Sequence, residues 1–224
     1  MIRLYLGPLS LFSRKVEIAL LEKGQAFERI LVPFSQARGY EPRHPAVLAA
    51  NPKRQVPVLV DGDLTLFDST VIFEYLEEAY PRPALYPVGV HARAHCRLLE
   101  LTADEILFAP VRNLLYRTEP PHPDAARQAE RDRAGLEAES ALRDQLAELD
   151  KRLAGGDFFC GDLSVADIAL FMTVLFAQRL GGPALEKFPR LAAWYARLLQ
   201  RPAFGAVAAD IAAADRELSA ALHR

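Results

Sequence analysis

Charge of one sign is scarce in this chain: 27 Lys and Arg stand against 29 Asp and Glu, a formal net charge of −2. Such a balance leaves no basic excess to hold nucleic acid or an anionic membrane surface. Long apolar runs are missing, and none approaches the roughly 20 residues that a membrane-spanning helix needs. The opening residues, Ile2-Arg3-Leu4-Tyr5-Leu6, lack the basic and apolar regions of a signal peptide. Cysteine is rare, and Cys96 and Cys160 supply neither a disulfide framework nor a metal-ligand cluster. A reducing cytoplasm and no metal cofactor are therefore expected, with both cysteines serving as small buried apolar residues. Repeats and low-complexity segments are absent too. What is left is an ordinary globular composition, 51% hydrophobic and 25% charged; 224 residues suffice for one large domain or two small ones.

Ile2 to Leu6 reads as a strand that Gly7-Pro8 breaks. Ser10-Leu11-Phe12-Ser13 leads into a helix carrying Val16, Ala19 and Leu20, with Gly24 as its stop. Phe27 to Val32 is a second strand, and two strands joined by a crossover helix predict a parallel βαβ unit. A loop with Pro33, Pro42 and Pro45 follows, in which Pro45 to Ala50 can form one short helical turn. Val58-Leu59-Val60 and Thr65-Leu66-Phe67 then predict a hairpin across Asp61-Gly62-Asp63. Val71, Ile72, Tyr75, Leu76 and Ala79 recur at helical spacing behind Ser69, a good N-cap. This β-α-β, β-β-α order is the thioredoxin-like arrangement.

Tyr80-Pro81-Arg82-Pro83 opens a linker, and beyond it the pattern is helical. His91 to Thr118 reads as one long segment kinked at Pro110. Ala125 to Leu153 carries an apolar stripe of Leu142, Leu146, Leu149 and Leu153. Ser164-Val165-Ala166-Asp167 suits a capping box ahead of Ile168 to Phe176. Pro189 falls in the first turn of the next helix, and a last helix after Arg201-Pro202 runs towards Leu222. The expected architecture is an α/β thioredoxin-like domain over 1–80, a linker over 81–90 and an all-α helical domain over 91–224.

The informative stretch is Asn51 to Tyr80. A helix start at Asp68-Ser69 offers free backbone N–H groups to an anion, and the Asp68 carboxylate can hold a cation. A ligand end with both a carboxylate and an ammonium suits that corner. Val56-Pro57 opens a strand; Pro cannot donate a ladder hydrogen bond, so it belongs at a sheet edge or a strand start. An X-Pro bond at such an entry is where a cis peptide is expected. Val56 would then present its N–H and C=O to an extended peptide lying alongside as an extra strand.

Asn51 to Glu78, NPKRQVPVLVDGDLTLFDSTVIFEYLEE, resembles the glutathione-binding half of the cytosolic glutathione transferases, whose pattern there is N-P-x-x-x-V-P-x-L, a hairpin, then an acidic residue and Ser opening a helix. GDLSVADIAL and FPRLAAWYARLLQRPAF resemble the helical domain of the same family, so the likeness spans nearly the whole chain. The resemblance implies glutathione as co-substrate, an apolar electrophile as second substrate and a homodimer. For the dimer, Leu98, Leu101, Leu107 and Leu114 give the 91–118 segment more apolar surface than one narrow face needs.

Glutathione chemistry needs the thiolate, and a cysteine thiol has a pKa near ~8.5. A hydroxyl donating to that sulfur at a helix start would lower it by about one to two units, the size of one charged hydrogen bond. Ser10 matches the active hydroxyl of the Ser-type, bacterial-like members, within a pattern like S-x-x-x-R-[KR]-V. Ser13 is the competing hydroxyl, and Tyr5 is a third position that suits a strand side chain. By resemblance, Val56-Pro57 meets the cysteinyl part of glutathione, Asp68 and Ser69 grip its γ-glutamyl end, and Gln55 stands where many members carry Lys for the glycyl carboxylate. Arg43, His44, Lys53 and Arg54 are nearby candidates for that last role. The electrophile would sit among Leu9, Phe12, Phe108, Val111, Leu115 and Tyr116, all of which also suit core or subunit contacts. An isomerase or dehalogenase using the same site, or a binding protein without catalysis, are the alternatives.

Overall fold

The computed structural model describes residues 1–41 and 43–219. Its first elements are β1 (Ile2–Leu6), α1 (Leu11–Glu22), β2 (Phe27–Leu31), α2 (Pro45–Ala50), β3 (Val58–Asp61), β4 (Leu64–Phe67) and α3 (Ser69–Ala79). Then come α4 (Val90–Leu101), α5 (Phe108–Asn113), α6 (Ala125–Arg152), α7 (Val165–Arg179), α8 (Pro189–Leu199) and α9 (Pro202–Leu218). The chain forms an α/β thioredoxin-like part followed by helices, as the element order predicts. Pro42 and the expected helix end at Leu222 lie outside the described residues.

The residues group into two compact units, Met1–Leu85 with Pro202–Leu218, and Tyr86–Arg201. A reading in chain order does not find the first grouping, because α9 joins a unit that begins 200 residues earlier. An ion network explains it. Arg14 on α1 is buried, and its guanidinium meets Glu17 at 2.6 Å and Asp210 of α9 at 3.0 Å. Arg29 on β2 reaches Glu17 at 2.6 Å and also pairs with Asp210. Burial would raise the Asp210 carboxyl, yet Arg29 and Arg14 hold it below its ordinary range.

In the first unit the sheet runs β2-β1-β3-β4, with β1 parallel to β2 and β3 antiparallel to both neighbours. The parallel pair is the predicted βαβ unit. The hairpin turns on Gly62-Asp63, between paired Asp61 and Leu64, and Gly62 takes φ +62°. A two-residue turn with its first position at positive φ is what Gly allows without strain. Alternation along β1 sends Tyr5 into a cluster with Val32, Val47 and Val58, while Leu4 and Leu6 are buried as its sequence neighbours on the other face. Lys23, at the end of α1, is buried with Glu77 of α3 at 2.8 Å and also donates to the Tyr80 and Pro83 carbonyls. Glu77 in turn accepts from the Leu85 N–H at 3.0 Å, which ties down the segment after α3.

In the second unit the single helix expected over His91 to Thr118 is broken. Thr102–Leu107 is a π-helical segment between α4 and α5, and Leu115–Thr118 tightens into a 3₁₀ turn. Pro110 perturbs the turn before it: it has no N–H for the Ile106 carbonyl, and its ring crowds that carbonyl. Gln145 of α6 donates to the Ile106 carbonyl at 3.4 Å. The predicted stripe Leu142, Leu146, Leu149 and Leu153 is buried throughout. Helix α7 is buried nearly all round and forms the centre of this unit. The expected capping box at Ser164 and Asp167 is present. No helix among the described residues is long and apolar enough to cross a membrane.

Candidate functional site

Sheet register assembles the site. Tyr5 of β1 pairs with Val58 of β3, and Val58 pairs with Phe67 of β4. The segment after β1, the segment before β3 and the segment after β4 therefore leave the sheet at one end. These segments carry Ser10, Val56-Pro57 and Asp68-Ser69, so pairing gathers three stretches that are distant in sequence.

Ser10 is the N-cap of α1, with extended backbone and its Oγ accepting from the Ser13 N–H at 3.3 Å. It is partly exposed at the positive end of that helix. Ser13 differs: it is fully buried, its Oγ accepts from the Gly7 N–H at 3.1 Å and donates to the Ser10 carbonyl at 3.3 Å. Its hydroxyl is thus committed to the loop between β1 and α1. Arg14 commits itself to the same loop through two bonds to the Pro8 carbonyl, at 3.2 and 3.0 Å. Tyr5 is a buried strand side chain, with its ring 5.1 Å from that of His44.

Pro57 stands immediately before β3, an interior strand, so of its two allowed placements it takes the strand start. The Val56–Pro57 bond is cis, as expected. Asn51 shapes the approach to it, a role the sequence reading missed. Asn51 is buried; its Oδ1 accepts from the Lys53 N–H at 2.9 Å and its Nδ2 donates to the Gln55 carbonyl at 2.7 Å. Arg54 between them holds φ +57°, where a non-glycine residue is uncommon. The signal was the Asn that opens the N-P motif. No backbone–backbone hydrogen bond among the described residues engages Val56.

At the third stretch the cap is Asp68, where the sequence favoured Ser69 as cap. Asp68 accepts from the Thr70 N–H at 3.1 Å, and Ser69 becomes the first helical residue, nearly buried. Asp68 sits at φ +74°, ψ 125°, a conformation that costs of order 1–3 kcal/mol and clusters at functional sites. Lys53 Nζ lies 3.3 Å from its Oδ2. Of the basic candidates, His44 caps α2 through Nδ1, Arg43 pairs with Glu41 at 2.8 Å, and Arg54 and Gln55 are exposed.

A carboxylate–tyrosine cluster at the far end of β3 stands apart from this corner. Tyr75 and Tyr80 both donate to Asp61 Oδ2. The Tyr80 bond holds the Asp61 carboxyl below its ordinary range, and the Tyr80 hydroxyl is pushed up to about 12.

The expected electrophile-pocket residues fall in both units. Leu9 and Phe12 are half-buried beside the start of α1, and Lys15 Nζ stands 5.8 Å from the Phe12 ring. Phe108, Leu115 and Tyr116 are half-buried in the helical unit. Val111 has no exposed surface and serves as core of that unit, so it is no open lining residue. The Tyr116 hydroxyl lies 2.7 Å from where a Cβ on Gly135 would stand, which packs that ring on α6.

Residues 4–84 match a family model described as glutathione S-transferase, N-terminal domain, and residues 106–202 match one described as glutathione S-transferase, C-terminal domain. A stringent starvation protein A homolog of Coxiella burnetii is 35% identical over 71% of this chain and 67% of its own. A probable maleylacetoacetate isomerase of Vibrio cholerae is 30% identical over 88% of this chain and 90% of its own. Among solved structures, a glutathione S-transferase of Methylobacillus flagellatus with glutathione bound superposes with TM-score 0.77 at 26% identity, covering 92% of this chain and 98% of that one.

Proposed function

Because the chain belongs to the glutathione S-transferase family, we propose that it binds glutathione at this corner and activates the thiol for attack on an apolar electrophile. The observation that carries the reading is the Tyr5–Val58–Phe67 register, which sets Ser10, Val56 and Asp68-Ser69 at one end of one sheet. In this reading the Val56 backbone pairs with the cysteinyl part of the tripeptide, as an added strand would. Asp68 holds the γ-glutamyl ammonium, displacing Lys53, and the Ser69 hydroxyl with the α3 N-terminus holds the carboxylate. Ser10 Oγ turns to donate to the sulfur. Ser13 is the weaker candidate because its hydroxyl is buried and already bonded on both sides.

The same bound thiolate serves an isomerase or a dehalogenase, and the likeness to a probable maleylacetoacetate isomerase keeps that second reading open to test. A screen of alkyl and aryl halides against cis-configured diacids separates the two reactions.

Calorimetry with glutathione alone tests the site. Binding in the micromolar to millimolar range is the expected result, and no heat at millimolar ligand would refute the assignment. Ser69→Ala, remote from the sulfur, should raise the KM for glutathione more than it lowers kcat, as loss of uniform binding does. Equal loss in both parameters would count against the carboxylate-anchor role.

The proposal includes a cytoplasmic homodimer. Leu98 and Leu101 on α4 are 59% and 51% exposed, while Leu107 and Leu114, also weighed for this role, are buried in their own unit. Adjacent large apolar side chains left in water favour a covering partner. Light scattering at micromolar concentration should give twice the chain mass; a monomer there would overturn this part.

A further inference from the structure

The glutathione corner uses neither cysteine, yet the fold brings the two together. Cys96 on α4 is fully buried, and Cys160 lies in the loop ahead of α7, partly exposed. The two thiols lie within interaction range of one another, with the Ala166 N–H, in the first turn of α7, and the Ser164 hydroxyl beside them. Cys160 also lines an open cleft of about 470 Å³ within the helical unit, with Ala92, His95, Leu99, Arg152 and Phe159.

Two thiols in contact at a helix start, one sealed and one open to a cleft, make a nucleophile and a resolving partner. Only Cys160 is open to a disulfide in the cleft, and Cys96, with no exposed surface, can act only on Cys160; contact with Cys160, and then burial, push the Cys96 thiol up. Contact with Cys96 holds the Cys160 thiol below its ordinary value, against burial and the nearby Asp167 carboxylate. The groups around the cleft are mixed. Arg152 offers a cation, also 3.4 Å from Glu148, His95 offers a ring N–H, and Leu99 and Phe159 supply apolar wall. Such a cleft suits a small anionic disulfide.

We infer that Cys160 and Cys96 form a redox-active dithiol that exchanges with a small anionic disulfide entering this cleft, for which glutathione disulfide is the probe. The Cys160 thiolate attacks one sulfur of the probe, forming a mixed disulfide and releasing one glutathione thiolate. Cys96 then gives up its proton and attacks the Cys160 sulfur, forming the Cys96–Cys160 disulfide and releasing the second. Two protein thiols are oxidised, one disulfide is reduced to two thiols, and no other oxidant enters.

The experiment is intact-mass analysis of the reduced full chain after incubation with millimolar glutathione disulfide, with peptide mapping. The expected product has lost two hydrogens, retains no glutathione and carries a Cys96–Cys160 crosslink. Cys96→Ser should stop at one glutathione adduct on Cys160, and Cys160→Ser should leave Cys96 unreacted. Ser69→Ala, weakened at the glutathione corner, should exchange at the unchanged rate, which separates this site from that one. Unreacted thiols in the wild-type chain, or a stable adduct on either cysteine in place of the crosslink, would overturn the proposal. The wild-type mapping decides it even if a variant fails to fold.

Discussion

Ser10→Ala should lose about ten- to a hundredfold in turnover near neutral pH and recover part of it in alkali. Without the hydroxyl, the bound thiol loses one charged hydrogen bond, about 1.5–3 kcal/mol, and its pKa rises by roughly one to two units. At neutral pH the thiolate fraction falls in proportion; at higher pH the solvent supplies the deprotonation and the deficit shrinks. Ser10 also caps α1, so Ala adds a helix cost of about 1 kcal/mol, whereas Gly at a cap costs only a few tenths. Ser10→Gly should therefore match Ser10→Ala in its pH profile while unfolding closer to the wild type. Ser13→Ala should behave in the opposite sense. It leaves the buried Gly7 N–H without its acceptor, about 1–3 kcal/mol, so the loss appears in stability and the profile of turnover against pH keeps its midpoint. The measurement is kcat across pH with saturating glutathione. A midpoint that stays in place in Ser10→Ala and moves in Ser13→Ala would transfer the role to Ser13.

Asp167→Ala should be the most destabilising single substitution in the helical unit. The carboxylate has no exposed surface and receives four hydrogen bonds: from the Ser164 N–H at 3.0 Å, the Ser164 hydroxyl at 2.9 Å, the Phe159 N–H at 3.1 Å and Trp194 Nε1 at 3.0 Å. Burial pushes the carboxyl above its usual range, and these donors oppose that. Ala removes the acceptor and strands the donors in the core. Breaking a buried charged network of this kind costs about 3–5 kcal/mol, against a total of roughly 5–15 for a folded domain. For a chain of this size that is a fall in Tm of about 10 °C or more. Asn, of the same shape but with one acceptor oxygen, should fall between the two. Trp194 is the chain's single tryptophan, so its fluorescence and far-ultraviolet dichroism follow the same transition from inside and outside the network. A Tm within a few degrees of the wild type in Asp167→Ala would show that the network carries little of the unit's stability.

Much of this was legible in the chain because it rests on near neighbours. The strand from Ile2, the stop at Gly24, the Gly62 hairpin, the leucine stripe of α6 and the Ser164–Asp167 box each depend on residues within a turn or two of one another. Backbone preference and hydrophobic period act at that range, so the thioredoxin-like order and the later helices could be read directly. The candidate corner was found in the same way, from a Pro at a strand start and a polar pair at a helix start.

Only the folded chain decided matters that turn on contact between distant segments. Helix α3 is capped by Asp68 with its strained backbone, where the sequence favoured Ser69. The Asp150 carboxylate of α6 meets the first N–H groups of α8, at 2.8 and 2.9 Å, a cap supplied from 40 residues away. Pro110 interrupts its segment, but the π-helical form of Thr102–Leu107 and the bond from Gln145 of α6 to the Ile106 carbonyl appear only in the folded chain. Ser10 and Ser13 share a residue type and a helix start, yet the fold leaves Ser10 partly exposed and buries Ser13 with its hydroxyl bonded on both sides. Asp210 binds Arg14 across 196 positions, and Cys96 finds Cys160 across 64. Such pairings carry no local signature: each side chain is compatible with solvent or core in its own stretch, and packing selects between them once the sheet register and helix contacts are fixed.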